Sequence, residues 1–449
     1  MTIHYFTKYK QHYKETLKLG IPIVMGQIGI VLVGLVDNIM IGHYATQDLA
    51  ASSFVNSVFI LPILVGLGFS YGLTPLVGRL FGQSKEKEIG SLLKNSLFSN
   101  LIISLLLGLA MTILYLNIHR MGQPAELLPY IRPYFLLQLV SLPFVMLFNG
   151  FKQFADGITE TKTPMWIMLS ANLINIIGNF IFIFGYFGFP EMGLTGAGIA
   201  TLIARVYMLI AFVVVFYYNP KYKHYSNGFQ NSTLDKGKIL TLNKMGGMIG
   251  TQMGMETALF SITGVMIGWF GATALASHQI LISVSTIGYM IYYGIGAAIS
   301  VRISNYHGTK DYNNIKKACT SGLHLIMLLA LFAAVFFFAI RHFLGYIFTS
   351  SEEVVEMVAL LAVILSLYQL GDALQITYAN ALRGIGDVTA MALLSCIGYF
   401  LIGLSAAYLL AFSCNLGITG IWISYPIGLS VTGILLFLRF KYVTNTPIV

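Results

Sequence analysis

Apolar runs with few charges fall at about 19–42, 53–78, 95–118, 129–151, 164–187 and 193–218, and again at about 245–269, 278–301, 318–340, 354–379, 388–412 and 417–438. Each is long enough to carry a helix across roughly 30 Å of hydrocarbon, which takes ~20 residues. The connections are mostly short. A lipid interior offers no water to satisfy backbone polar groups, so an unclosed chain crosses it as α-helix. The pattern therefore predicts an all-α integral membrane protein with twelve transmembrane helices. A polar stretch to Lys18 precedes the first run, which is too long for the apolar core of a cleavable signal peptide.

Composition agrees. Of the 449 residues, 57% are hydrophobic and 10% charged, against roughly 25% charged in soluble domains. A soluble multidomain enzyme and a disordered chain are both excluded. Cys319, Cys396 and Cys414 are too scattered for a disulfide framework or a cysteine metal site. The net charge of +9 raises the question of nucleic acid, and its distribution answers it. With the N-terminus placed in the cytoplasm, 22 of the 26 Lys and Arg residues fall on the inner side. Arg120, Arg132 and Arg341 fall outside, and Arg205 lies within a span. This is the positive-inside pattern of a multi-pass protein of the inner (plasma) membrane with both termini cytoplasmic. The basic excess is a topology signal and a grip on anionic membrane lipids; no nucleic acid and no protein partner is implied.

The second half of the chain repeats the first. Val36–Phe59 aligns with Ile262–Ser285 at a shift of 226, with seven identities in 24 positions, and Gly82 falls on Gly308. Gly193-Leu194-Thr195-Gly196 matches Gly417-Ile418-Thr419-Gly420 at a shift of 224. Six spans per half is an even number, so the repeats are parallel, related by a pseudo-two-fold axis along the membrane normal, as in transporters. The expected organisation is an N-terminal lobe at 1–218, a cytoplasmic linker at 219–243 and a C-terminal lobe at 244–449.

Three carboxylates, Asp37, Glu256 and Asp372, fall inside spans, where an ionised side chain costs about 2.5–3.5 kcal/mol. Such a group binds a cation or holds a proton. At 1.5 Å per residue, Glu256 and Asp372 lie roughly 17 and 11 Å from the same membrane edge. Tyr368 precedes Asp372 by one turn, on the same helix face. Together they form a candidate oxygen-rich cation site, and sodium, a hard ion, favours such ligands; the metal expected at Glu256 and Asp372 is sodium. In the first half Asp37, Asn175, Asn179 and Thr201 fall at comparable depth and form a candidate coupling and substrate cluster. Amide contacts between helices are the competing reading for the asparagines. Pro22, which shares a helix with Asp37, is a candidate kink. Arg205 is a candidate counter-charge, and His278 and Gln279 are accessory candidates, with an interfacial histidine as the plain alternative. No ATP-binding loop, zinc spacing or nucleophile motif is present, so no cofactor beyond the coupling ion, Na+ or H+, is expected, and no enzyme.

These residues resemble a known family. Leu17-Lys18-Leu19-Gly20-Ile21-Pro22 and Val36-Asp37-Asn38-Ile39-Met40-Ile41-Gly42-His43 are similar to the opening of multidrug and toxic compound extrusion (MATE) transporters. So are Gly196–Thr201 and Ala381–Asp387. Met255-Glu256-Thr257-Ala258 and the run from Tyr368 to Gln375 resemble the NorM-like branch. The resemblance implies a twelve-helix, two-lobed fold that opens alternately to each side. It also implies export of small organic cations, drugs and dyes, by cation antiport. Glu256, Tyr368 and Asp372 correspond to that branch's C-lobe cation site and Asp37 to its N-lobe carboxylate. Another branch has an acidic residue where this chain has Asn179. The resulting expectation is a secondary multidrug efflux transporter, with sodium favoured over the proton. The rivals are a lipid-linked oligosaccharide flippase of the same superfamily, whose anionic substrates call for intramembrane cations, and a non-coupled channel or scaffold.

Overall fold

The computed structural model describes the backbone of residues 2–445 and the side chains of residues 9–445. Met1 and residues 446–449, with the two chain ends expected in the cytoplasm, and the Lys8 side chain lie outside the described residues. Among the described residues there is no strand. The first half contains α1 (Thr2–Tyr44), α2 (Thr46–Gly82, with a turn at Tyr71–Gly72), α3 (Glu86–Leu116), α4 (Leu128–Gly157), α5 (Lys162–Phe184) and α6 (Gly193–Tyr218). The second half contains α7 (Lys236–Gly268), α8 (Ala272–Gly308), α9 (Tyr312–Leu344), α10 (Glu352–Ile385), α11 (Val388–Ser413) and α12 (Gly417–Asn445). A helix stands at each of the twelve expected spans, most of them longer than the apolar run. Eleven of these helices are long and apolar enough to cross a membrane. The twelfth, α7, has 33 residues, but Lys244, Thr251, Gln252, Glu256 and Thr257 dilute its apolar character.

The repeat is visible in the backbone. Ser84 (φ +56°) and Lys310 (φ +58°) both adopt the left-handed conformation, at positions that the sequence repeat makes equivalent. Gly193 and Gly417, at φ +51° and +56°, start α6 and α12. Two independent turns with the same unusual geometry are hard to obtain except from one ancestral unit.

The chain forms two compact units, Met25–Gly250 and Met1–Val24 with Thr251–Val449. The lobes expected at 1–218 and 244–449 follow the sequence repeat, whereas the compact units divide α1 after Val24 and α7 after Gly250. The two cuts stand at the same shift as the aligned segments of the repeat. Each repeat therefore splits its first helix at the same place.

In the unit Met25–Gly250 one core surrounds Phe59, Phe135 and Ile183, and another surrounds Phe151, Phe154, Phe212 and Phe216. The second core also takes in Tyr222 and Tyr225 from the segment expected to be a plain linker. That segment carries a short helix, Lys223–Gln230. It lies so close to α3 that a Cβ on Gly228 would stand 2.4 Å from the Lys87 carbonyl oxygen, and one on Gly90 2.1 Å from that of Tyr225. Only hydrogen fits at either position.

In the other unit the first residues of α1 lie along α8. Arg302, buried, donates to the His12 carbonyl (3.0 Å), Thr16 Oγ1 (2.8 Å) and Glu15 Oε2 (2.6 Å). Tyr13 and His324 are joined at 2.8 Å. The polar turns before the first span are thus an ordered part of that unit. A larger core there is built around Leu259, Leu281, Leu361, Leu365, Trp422 and Tyr425.

Gly228→Val is expected to expel the linker helix from α3. Overpacking of this kind costs about 1–3 kcal/mol, so the variant should show a lower thermal midpoint in detergent and faster proteolysis between residues 219 and 235.

Candidate functional site

In the unit Met25–Gly250 the four sequence-predicted residues meet. Asn179 Nδ2 on α5 donates to Asp37 Oδ1 on α1 at 2.5 Å and lies 3.3 Å from Asn175 Oδ1, one turn earlier. Asn175 Nδ2 donates to Thr201 Oγ1 on α6 at 3.2 Å. Helical spacing explains the chain of contacts: residues four apart share a face, so one face of α5 carries both amides toward α1 and α6. Asn175 and Asn179 are buried, and Asn179 Oδ1 has no partner among the described residues.

Arg205, one turn after Thr201, donates to Gln138 Oε1 at 2.7 Å and to Ser141 Oγ, both on α4. Its hydrogen-bond partners are thus neutral. Among the described residues it forms no salt bridge with Asp37, although each lies within electrostatic range of the other. The expected counter-charge acts at a distance. Gln138 and Ser141 escaped the sequence reading, although their i,i+3 spacing marks them as one face of α4. Pro22 is buried within an unbroken α1, two residues before the division between the units.

In the other unit, Glu256 on α7 and Asp372 on α10 lie within electrostatic range, with Tyr368 close to both. Asp372 and Tyr368 are buried. The Tyr368 hydroxyl does not hydrogen-bond Asp372; its ring packs edge-on against Tyr425, centroids 6.4 Å apart. Around Glu256 the structure adds residues the sequence reading missed. Gln252 Nε2 donates to Glu256 Oε2 at 3.0 Å, and Tyr399 OH donates to the same oxygen at 3.3 Å. Gln375 Nε2 donates to Tyr399 OH at 2.6 Å. Gln252 and Gln375 are about one turn from Glu256 and Asp372, a signal present in the sequence. Tyr399 carries none, because it lies in the π-helical stretch Ile397–Leu404 of α11, where the usual period no longer tells which face a residue occupies.

The donor set tests whether a cation suits this pocket. Both donors to Glu256 go to Oε2. Among the described residues no hydrogen bond reaches Asp372, and the buried carbonyl oxygens of Gln252 and Gln375 have no partner. Free acceptors without donors are what a hard cation needs. Among the described residues no group of three or more His, Cys, Asp or Glu side chains could hold a metal, so a transition-metal site is not built here.

His278 is buried within the protein. Its ring stands edge-on to Trp422, centroids 5.6 Å apart, and its Nδ1 is unpartnered among the described residues. Gln279, the next residue, is exposed. Two further buried carboxylates were also missed. Asp156 pairs with Lys152 at 2.8 Å at the end of α4, beyond the predicted span, and Asp48 Oδ2 accepts from the Leu194 N–H at 2.7 Å, capping the start of α6.

The model of the MatE family matches residues 22–181 and again 249–409, one copy in each repeat. The chain belongs to the MatE family. It is therefore a transporter and not an enzyme. It is 30% identical over 443 residues to the multidrug resistance protein NorM of Photobacterium profundum, covering 97% of this chain and 96% of the relative. To the multidrug resistance protein MdtK of Yersinia pseudotuberculosis it is 29% identical over 455 residues, covering 98% and 97%. Its fold is similar to that of the Vibrio cholerae MATE transporter VcmN, with a TM-score of 0.86, 20% identity and coverage of 98% and 99%. It is likewise similar to a MOP superfamily transporter from Pyrococcus furiosus, with a TM-score of 0.84, 20% identity and coverage of 97% and 96%. The twelve-helix, two-lobe fold expected from the sequence is the fold of this family.

The Asp37–Asn179 contact makes a testable claim about stability. Asn179→Leu takes this hydrogen bond from a carboxylate inside a span, at a cost of about 1–3 kcal/mol. Asp37→Leu in the same chain should recover most of that loss in thermal unfolding, because an apolar pair leaves nothing unsatisfied.

Proposed function

We propose that this chain is a secondary multidrug efflux transporter of the plasma (inner) membrane, exporting amphipathic organic cations in exchange for an entering cation, sodium in preference to the proton. The observation that carries the proposal is the Glu256–Asp372 pocket. It gathers two carboxylates and unpartnered carbonyl oxygens on membrane helices; among the described residues neither carboxylate forms a salt bridge, and Arg383 lies within electrostatic range of Glu256. The NorM and MdtK relatives, named for multidrug resistance, support export of drugs. In this reading both chain ends and the 219–243 segment are cytoplasmic, and membrane lipid surrounds the exposed apolar faces.

The chemistry follows from repulsion and its relief. Two carboxylates in a low-dielectric pocket disfavour each other's charge, and a cation between them stabilises the charged pair. A cation entering from outside favours the conformation in which it is best held; a drug favours another. Each ligand shifts the equilibrium only by its difference in affinity for the two states, so ion entry and drug exit become linked. The N-terminal cluster carries the second carboxylate centre, Asp37, which takes part in substrate release through α1. A drug cation is held by the N-terminal cluster around Asp37 and by aromatic faces.

Glu256→Gln and Asp372→Asn should each abolish sodium-stimulated efflux of a cationic dye from cells while the protein stays folded in the membrane. Asp37→Asn should slow efflux without removing its sodium dependence, and Tyr368→Phe should have the mildest effect, because it deletes one neutral oxygen. Unchanged sodium-dependent efflux in the Glu256→Gln, Asp372→Asn double variant would refute the assignment.

Orientation has its own test. In a chain whose three native cysteines are replaced by serine, a cysteine placed at Ser232 should resist membrane-impermeant labelling in intact cells and react after permeabilisation; labelling in intact cells would reverse the topology.

A further inference from the structure

Resting on the cation site just described, we propose that the side-chain carbonyl oxygens of Gln252 and Gln375 are themselves ligands of the coupling cation, and that Tyr399 is the positioning residue that turns them toward it. A phenol has one proton to give. Here that proton goes to Glu256 Oε2, at 3.3 Å, leaving the Tyr399 oxygen as acceptor for both amides. Gln375 Nε2 approaches it at 2.6 Å and Gln252 Nε2 at 3.4 Å, the latter also reaching Glu256 Oε2 at 3.0 Å. With both NH2 groups committed to this hub, each amide must present its Oε1 elsewhere. Both Oε1 atoms are buried and make no hydrogen bond among the described residues. An orphaned buried acceptor is costly, and one polar orphan has many explanations. Two orphans on different helices, α7 and α10, held by one hydroxyl beside two carboxylates, have a common one: a cation that takes all of them as ligands.

The local fold explains how Tyr399 comes to be there. Its neighbour Gly398 packs into α12 so closely that a Cβ would lie 1.8 Å from Thr432 Oγ1. The π-helical stretch around it rotates the following side chain relative to an α-helix. Tyr399 is completely buried, at 0% exposure, so the hydroxyl has little freedom to leave the hub. Neutral carbonyl ligands also bear on ion choice. They hold sodium by charge–dipole attraction but cannot take up a proton at neutral pH, so they favour the metal ion over the proton in a pocket whose carboxylates accept either.

The test is equilibrium binding of radioactive sodium to the purified full-length protein in detergent, with binding of a permanently cationic dye in sodium-free buffer measured alongside. Gln252→Leu, Gln375→Leu and Tyr399→Phe should each weaken sodium binding by about ten-fold, the scale of one lost polar ligand. Dye binding without sodium should stay at the wild-type level, which a merely structural role would not leave intact. Tyr399→Phe keeps the ring and its packing, so it decides the matter if either glutamine variant fails to fold. Wild-type sodium affinity in Tyr399→Phe and in the folded glutamine variants would overturn the proposal while leaving the carboxylate site standing. Wild-type affinity in Glu256→Gln and Asp372→Asn would instead remove the site on which it rests.

Discussion

A carboxylate placed in hydrocarbon has to find a proton, a cation or a set of hydrogen-bond donors, because lipid offers none of them. Much of the interior of this protein is arranged around that demand. The unit Met25–Gly250 meets it at Asp37 with an amide donor from Asn179, itself tied to Asn175 and Thr201. It meets it at Asp156 with a buried lysine and at Asp48 with a helix N-terminus. Glu256 and Asp372 differ in kind. Among the described residues donors reach one oxygen of Glu256 and none of Asp372, and the nearby amides turn unpartnered oxygens into the interior. At each of the first three sites a protein donor reaches the carboxylate, though Asp156 keeps one unpartnered oxygen, whereas none reaches Asp372 among the described residues. The last is left for something else to complete.

The duplicated architecture gives that difference a frame. Two repeats of six helices begin from the same pattern, share left-handed turns at equivalent positions and divide their first helices at the same point of the repeat. Yet the carboxylate chemistry is not duplicated: Asp37 has an amide partner on α5, while Glu256 meets a tyrosine from a π-helical segment. Two copies of one scaffold have thus diverged in how they surround their carboxylates. α1 and α7 each run from one unit into the other.

The spans were legible because lipid enforces a simple rule on segment length, and the three isolated carboxylates stood out against apolar neighbours. Asn175, Asn179 and Thr201 could be grouped with Asp37 from helical spacing and depth alone, and the structure brings all four together. What stayed hidden has specific causes. Tyr399 sits where π-helical turns break the period on which such reasoning depends. Lys152 and Asp156 lay just past a span boundary and so read as loop charges. The linker helix was obscured because residues 219–243 are polar overall, while two tyrosines and Gly228 fix it to α3. The packing of His278 against Trp422 of α12 was likewise hidden, because the sequence does not tell which helices neighbour each other.

The central claim is that an entering cation drives export through the Glu256–Asp372 pocket, and wild-type protein in proteoliposomes tests it most directly. Sodium and pH gradients imposed separately, with the membrane potential clamped, would be compared for their ability to move a fluorescent organic cation against its own gradient. The account predicts uphill movement under an inwardly directed sodium gradient alone, at constant pH. Movement under neither gradient, or under the pH gradient with no response to sodium, would contradict it.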